Sequence, residues 1–475
     1  MADRRPVVLW FRRDLRLDDH PALVAAARQG PVVALFVLDD VLLETAGRPR
    51  LAYLLRTLRA LAHQLGTHGA TLTLRRGRPE QVVPSVVADA GAAVVHISTD
   101  FAPYGAARDL RVAAALGEVP LVATGSPYAV APDRIRRPNG DAYQVFTAFF
   151  RSWLANGWDA PARSDPSAVE WRTIGGEPIP HDPPITTTLP DAGQLAARRA
   201  WARFRGDDLT TYADRRDHPA RDGTSRMSPF LKFGAIHPRT LLDDLGADDD
   251  AFRRQLAWRE FYATVLHRVP STARACFQPG MEGMEYDSGA HADTRFAVWA
   301  RGRTGYPLVD AGMRQLLAEG WMHNRVRMIT ASFLVKDLHI DWTRGARHFM
   351  HHLIDGDLAS NQHGWQWTAG TGTDAAPYFR IFNPVSQSRK FDPDGGYIRR
   401  WVPELAELPS SEIHEPWRRP EGVPPGYPEP IVDHRDERAD SLARYHLLRS
   451  ERDLVRTAPC SSRCPSSLHC PCSLH

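Results

Sequence analysis

Short apolar runs bounded by amphipathic stretches organise the first quarter of the chain: Val7–Phe11, Val32–Val37, Thr71–Leu74, Val94–Ile97 and Leu121–Thr124. Continuous apolar runs of this length are the mark of strands buried on both faces, as in parallel sheets. Between them, Leu51–His68 and Glu80–Ala90 repeat apolar residues every three or four positions, which is the period of crossover helices. The pattern predicts a Rossmann-like α/β domain with a parallel sheet over residues 1–130. No G-x-G-x-x-G follows the first strand, so an ordinary dinucleotide site is not expected there.

Residues 131–195 read as an interdomain linker, because Ala160–Pro190 is rich in Pro, Thr, Gly and Asp without a sustained period. From 196 to 450 helical periods dominate while Trp, His and Arg become frequent, which predicts an all-α domain. The stretch 451–475 is low-complexity and Cys-rich, and is expected to be a disordered tail. The spacing of Cys460, Cys464, His469, Cys470, Cys472 and His475 fits no common zinc site, so no metal is expected.

A chain of 475 residues exceeds one ordinary core, which agrees with two domains. With 43% hydrophobic and 24% charged residues it belongs with globular chains, not disordered ones. A net charge of +3 does not announce a nucleic-acid partner, so any phosphate-binding face has to be local. No signal peptide or membrane-length apolar stretch is present, and a cytoplasmic protein is expected. Of five cysteines only Cys276 lies in the body of the chain, which excludes a disulfide framework.

Four clusters carry candidate chemistry. In Thr224-Ser225-Arg226-Met227-Ser228-Pro229, hydroxyls and a cation precede a helical run with Pro in its first turn. Ser228 is the expected N-cap, and the segment suits an anionic diphosphate or is merely a capped helix. Gln255, Trp258, Arg259 and Tyr262 share one helix face, which fits either a flat heterocycle or a core contact. In Trp321–Met328, Asn324 and Met328 lie together while Arg325 and Arg327 diverge, so the helix can serve two partners. Asp355-Gly356-Asp357, followed by Asn361, Trp365 and Trp367, fits a divalent ion, an Arg pair or the hydroxyls of a sugar chain.

These runs, together with Val8–Leu17, Gly305–Asp310 and Asp374–Pro384, resemble the photolyase/cryptochrome family from about residue 6 to 445. The resemblance implies an α/β antenna domain, a long linker and a helical FAD domain. It implies light-driven repair of DNA: excited, reduced FAD gives an electron to a flipped-out cyclobutane pyrimidine dimer, which splits. It also implies damaged DNA as partner and a monomeric, membrane-free enzyme.

Carried over residue by residue, the resemblance makes Tyr212, Thr224, Ser225, Arg226, Met227 and Ser228 contacts of the FAD phosphate and ribityl region. Asp355, Gly356 and Asp357 bind its sugar and ring part, with Arg327 paired to Asp355, Asn361 near the reactive ring and Arg259 lining the site. Trp258 and Trp367 match the pair that clamps the dimer. Asn324, Arg325, Met328, Arg216, Gln255, Tyr262 and Gln387 match lesion and DNA contacts. Trp365 and Trp342 match the first two members of the electron-transfer chain that photoreduces FAD. The surface Trp expected third is absent from Met281–Thr294, which leaves Tyr286 or Trp299.

Gln255 stands where cyclobutane-specific members carry Glu, as in six-four photolyases, whereas Asn324 and Met328 stand where those enzymes carry a His pair. A cryptochrome-type receptor without repair is the further alternative. Arg50 and Asp100 resemble an antenna site that binds 8-hydroxy-5-deazaflavin in preference to methenyltetrahydrofolate.

Overall fold

The computed structural model describes residues 4–373 and 379–457, with side chains as far as Ser450. The Cys-rich stretch from residue 458 onward and the Asp374–Tyr378 part of the family motif lie outside the described residues. Five strands, β1 (Val7–Phe11), β2 (Val32–Asp39), β3 (Leu72–Gly77), β4 (Val94–Ile97) and β5 (Leu121–Ala123), pair in parallel in the order β3-β2-β1-β4-β5. Register aligns Val7 with Val32 on one side and with Val94 on the other.

Every residue of β1, β2 and β4 is buried, because both faces of the sheet are covered. Val7, Leu9 and Phe11 pack with helices α1 (Pro21–Gln29) and α3 (Arg48–Thr67); a short α2 (Asp40–Thr45) precedes α3. Val8 and Trp10, pointing the other way, pack with α4 (Pro79–Ala90) and α5 (Pro103–Ala115). The strand order reverses between β1 and β4, so the crevice beyond their C-terminal ends is the natural ligand position of this domain.

The stretch read as linker holds one α-helix, α6 (Phe146–Asn156), whose Phe146, Phe149, Phe150 and Trp153 are buried. Then follow α7 (Gln194–Asp207), α8 (Tyr212–Arg215), α9 (Ser228–Phe233), α10 (Pro238–Asp243), α11 (Asp250–Arg268), α12 (Gly289–Ala300) and α13 (Pro307–Glu319). The remainder comprises α14 (Asn324–Ser332), α15 (Trp342–His352), α16 (Leu358–Ala369), α17 (Pro384–Phe391), α18 (Gly396–Trp401) and α19 (His434–Thr457). A π-helical turn, Phe333–Asp337, extends α14. Among the described residues no helix is long and apolar enough to cross a membrane.

The loop after β1 ties the two halves together. Leu15 N–H donates to Phe233 O (3.0 Å) and Arg16 Nη1 to Gly234 O (3.1 Å), while Arg239 pairs with Asp19 at 2.6 Å. Gly234 has a φ of 67°, and a Cβ there would overlap the backbone of Arg13, so only glycine permits this close approach.

Candidate functional site

The turn between α15 and α16 presents two acids in different environments. Asp355 is 6% exposed; its Oδ2 accepts from Arg327 Nη2 (2.8 Å) and Ser228 Oγ (2.6 Å), while its buried Oδ1 has no partner. Asp357 Oδ1 accepts from Ser360 N–H (3.1 Å) and caps α16, and its Oδ2 is 2.6 Å from Arg13 Nη2. Burial alone would raise the Asp357 pKa, but Arg13, with Lys232 and Arg259, holds it well below the usual carboxylate range. Between them, Gly356 is closely approached: a Cβ would lie 2.8 Å from Arg50 Nη1, so any side chain here would push the guanidinium aside.

The 224–228 segment approaches these acids from the opposite side. Ser228 does not cap α9 as the sequence pattern suggested; Met227 occupies that position without a side-chain cap, and the Ser228 hydroxyl goes to Asp355 instead. Ser228 is already the first residue of the helix, so its hydroxyl is past the capping position and is left to donate to the Asp355 carboxylate, a charge-assisted bond. Ser225 Oγ accepts from Met227 N–H (3.3 Å). Arg226 takes a left-handed φ of 49°, reaches Glu319 (3.2 Å) and lies 4.4 Å over Trp321. Tyr212 is buried edge-on to Phe204 and Phe252.

Helix α11 delivers the second cluster. Its aromatic face is not simply core: Trp258 is half-buried and stacks on Phe146 at 3.8 Å with planes 7° apart. Tyr262 lies 5.5 Å from His363 on α16 at 21°, which brings α11 and α16 face to face. Arg259 donates to Pro127 O (3.0 Å) and Leu231 O (3.2 Å) and lies over Tyr128, so it fastens both the antenna-side loop and α9 to α11. Gln255 Nε2 turns back to Ala251 O (3.4 Å). Trp367 is half-buried on α16 with Arg380 over its ring at 5.3 Å.

Helix α14 splits its residues as its periodicity predicts. Arg327 faces inward to Asp355; Asn324 is exposed, 3.9 Å from Met328 Sδ; Arg325 pairs with Asp217 at 2.9 Å and covers Phe391. Arg216 lies over Tyr212 beside the same Asp217, which puts two guanidinium groups at one rim. Gln387 is half-buried on α17, near that rim's Phe391 in sequence.

Behind the acids, Asn361 Nδ2 donates to Ala346 O (3.1 Å) and Gln362 Oε1 (2.8 Å). Trp365 is buried with its Nε1 unpartnered, 4.9 Å from Phe349 and 6.2 Å from Trp299. Trp299 is fully buried beside Trp365 and bonds Thr330 O, whereas Trp342, also buried, begins α15 and donates to the Cys276 sulfur. Burial, with Asp341 and Cys276 nearby, pushes the half-buried Tyr286 phenol far above its ordinary pKa.

A cavity of about 330 Å³ opens at the strand-order reversal and reaches across to Gly356 and Asp357. Phe36–Leu38, Leu51, Leu54 and Leu266 line it, and Arg50, Asp100, Tyr104 and Lys232 are among its polar groups. Arg50 also bonds Met350 O, and Asp100 lies 3.4 Å from Arg108. Burial, reinforced by Arg13, pushes the Lys232 ammonium down to about 7.

The sequence reading missed Arg13, Lys232 and Phe146. Phe146, Phe149, Phe150 and Trp153 fall at the i, i+3, i+4, i+7 spacing of a buried helix face, a signal hidden by the Pro-rich surroundings. A hydroxyl-bearing anion fits the site: the free Oδ1 of Asp355 offers an acceptor to a hydroxyl, and Arg226 with the 224–228 hydroxyls offers donors to a phosphate.

Residues 7–167 match the family described as DNA photolyase, and residues 252–447 match the FAD binding domain of DNA photolyase. A deoxyribodipyrimidine photo-lyase of Halobacterium salinarum is 40% identical, across 94% of this chain and 99% of its own. A bacterial class III photolyase from Agrobacterium tumefaciens superposes with a TM-score of 0.86 at 34% identity, covering 95% of this chain and 99% of its own. An archaeal photolyase from Sulfolobus tokodaii, described with two FAD molecules and a novel light-harvesting cofactor, gives 0.83 at 27%, covering 93% and 100%.

Proposed function

The chain belongs to the DNA photolyase family, and from that premise we propose that its site binds FAD between α9, α14 and α16 and uses it on a dimer held by α11, α14 and α16. The protein is a light-dependent DNA-repair enzyme that splits cyclobutane pyrimidine dimers. The observation that carries the site assignment is Asp355: an acid held in place by Arg327 and Ser228, with one buried oxygen still free to accept a hydroxyl.

In this reading Tyr212 and Thr224–Ser228 hold the phosphate and ribityl portion, Asp355, Gly356 and Asp357 hold the sugar and ring edge, and Asn361 and Arg327 complete the wall. When bound, reduced FAD supplies a light-excited electron. The protein contributes geometry and the exclusion of water, with no acid, base or nucleophile spent. Trp258, Trp367, Asn324 and Met328 receive the extruded dimer, with Gln255 and Tyr262 beside them. Extrusion is eased because damaged bases already stack and pair poorly. Arg325, Arg216 and Gln387 position the duplex, the two arginines on its phosphates, without reading sequence. Trp365 and Trp342 carry reducing equivalents inward. Of the two candidates for the terminal position, the half-buried Tyr286 is the more accessible, since Trp299 is fully buried against Trp365.

The cavity at the strand-order reversal is assigned to a second chromophore, 8-hydroxy-5-deazaflavin. Its walls are largely apolar, which suits a flat tricyclic ring, and Asp100, Arg50 and Lys232 are among the polar groups that orient it. No second chain is needed to complete either site, and the working unit is a monomer. The test of the function is to illuminate the reduced holoprotein with an oligonucleotide bearing one cyclobutane dimer and count intact bases. Restoration in light and not in darkness is expected; loss of no dimer under light, with FAD bound, overturns the reading.

A further inference from the structure

Trp258 does not stand alone. Trp153, Phe150, Phe146 and Trp258 form a ladder of nearly parallel rings: 6.1 Å at 18°, 5.7 Å at 19°, then 3.8 Å at 7°. The far end of the ladder is anchored, since Trp153 Nε1 donates to Glu260 Oε2 at 2.7 Å. Glu260 lies two residues beyond Trp258 on α11 and also accepts from Val130 N–H at 3.0 Å. Helix α6 is thus fastened to α11 by a hydrogen bond, by the Phe146–Trp258 stack and by ring contacts of Phe146 and Phe149 with Phe261. Phe146 is buried, whereas Trp258 is half-exposed, so the ladder ends at the accessible ring.

We propose that Phe146 is a positioning residue for lesion binding: it covers one face of Trp258, fixes the plane of the indole, and leaves only the opposite face to receive the dimer. The inference rests on the reading of Trp258 as a dimer contact. An indole free to turn about its side-chain bonds has to be ordered when the dimer arrives, and that ordering weakens binding. A stacked ring behind it removes this cost beforehand, because the two rings already lie almost face to face, 3.8 Å apart. The segment between the domains therefore contributes to specificity as well as to connection.

The test measures dark equilibrium binding of the holoprotein to a dimer-bearing oligonucleotide and to its undamaged twin, for wild type, Phe146→Leu, Phe146→Tyr and Trp258→Ala, with FAD content checked for each. Phe146→Leu keeps an apolar side chain and removes the flat ring; about tenfold weaker dimer binding is expected, with undamaged binding unchanged. Phe146→Tyr, which keeps the ring, restores dimer binding. If Phe146→Leu and wild type prefer the dimer equally while Trp258→Ala does not, the positioning role is wrong and the reading of Trp258 stands. If Phe146→Leu weakens both oligonucleotides alike, or Phe146→Tyr fails to rescue, the role is structural and the proposal falls. If Trp258→Ala itself leaves dimer binding intact, the underlying reading fails.

Discussion

Arg13 and Asp357 stand 344 residues apart in the chain and 2.6 Å apart in the fold, joining the loop after β1 to the cap of α16. Their side chains are 19% and 10% exposed, so removing the cation leaves a largely buried carboxylate alone. Arg13→Ala is expected to cost about 3 kcal/mol and to lower retained FAD several-fold. The sign with pH follows from the lowered Asp357 pKa. The pair's contribution is complete above the unfolded carboxylate pKa and disappears as pH falls through the folded one. The gap in melting temperature between wild type and variant should therefore hold from neutrality to about pH 5 and close only in stronger acid.

How far the sequence discloses such relations depends on their range. The five strands are legible because each is a local apolar run, and Arg327 facing away from Arg325 is legible because helical rotation is local. The α6 stripe is equally local, but its Pro-rich neighbourhood argues for linker, and the local pattern loses to its context. Arg13–Asp357 and Ser228–Asp355 are not legible. Each is decided by how two domains or two distant helices dock.

Lys232 carries a second pH dependence of opposite origin. Burial lowers its pKa to about 7 from an unfolded value near 10.4, so the unfolded chain binds the extra proton across that interval. Stability from this residue is full above the unfolded value and is lost as pH falls to the folded one. Lys232→Met should be more stable than wild type by about 1–2 kcal/mol at pH 7, since part of the side chain faces the cavity, with the difference shrinking toward pH 10. Denaturant titration without the second chromophore at both pH values is the measurement.

Gly345 fixes the place of Trp365, because a Cβ at that position would overlap the indole and the side chain of Leu334. Gly345→Ala is expected to lower stability by about 1–3 kcal/mol through overpacking. Displacement of Trp365 should slow photoreduction of bound FAD measurably, which absorbance under steady blue light follows directly. A variant with unchanged photoreduction would separate Trp365 from that route.

Arg325 should act through charge alone. Arg325→Ala is expected to weaken binding to damaged and undamaged duplex to the same extent and to reduce the slope of log affinity against log salt by about one. Binding isotherms across a range of salt concentrations measure both. A change confined to the damaged duplex would instead make Arg325 a lesion contact.

The most direct test of the account is repair of two lesions side by side. Reduced holoprotein is illuminated with one oligonucleotide carrying a cyclobutane dimer and another carrying a six-four product, and restored bases are counted by chromatography. Light-dependent restoration of the cyclobutane dimer alone is the predicted result. Restoration of the six-four product alone would make Gln255 the better guide than Asn324 and Met328, and restoration of neither with FAD bound would contradict a repair enzyme altogether.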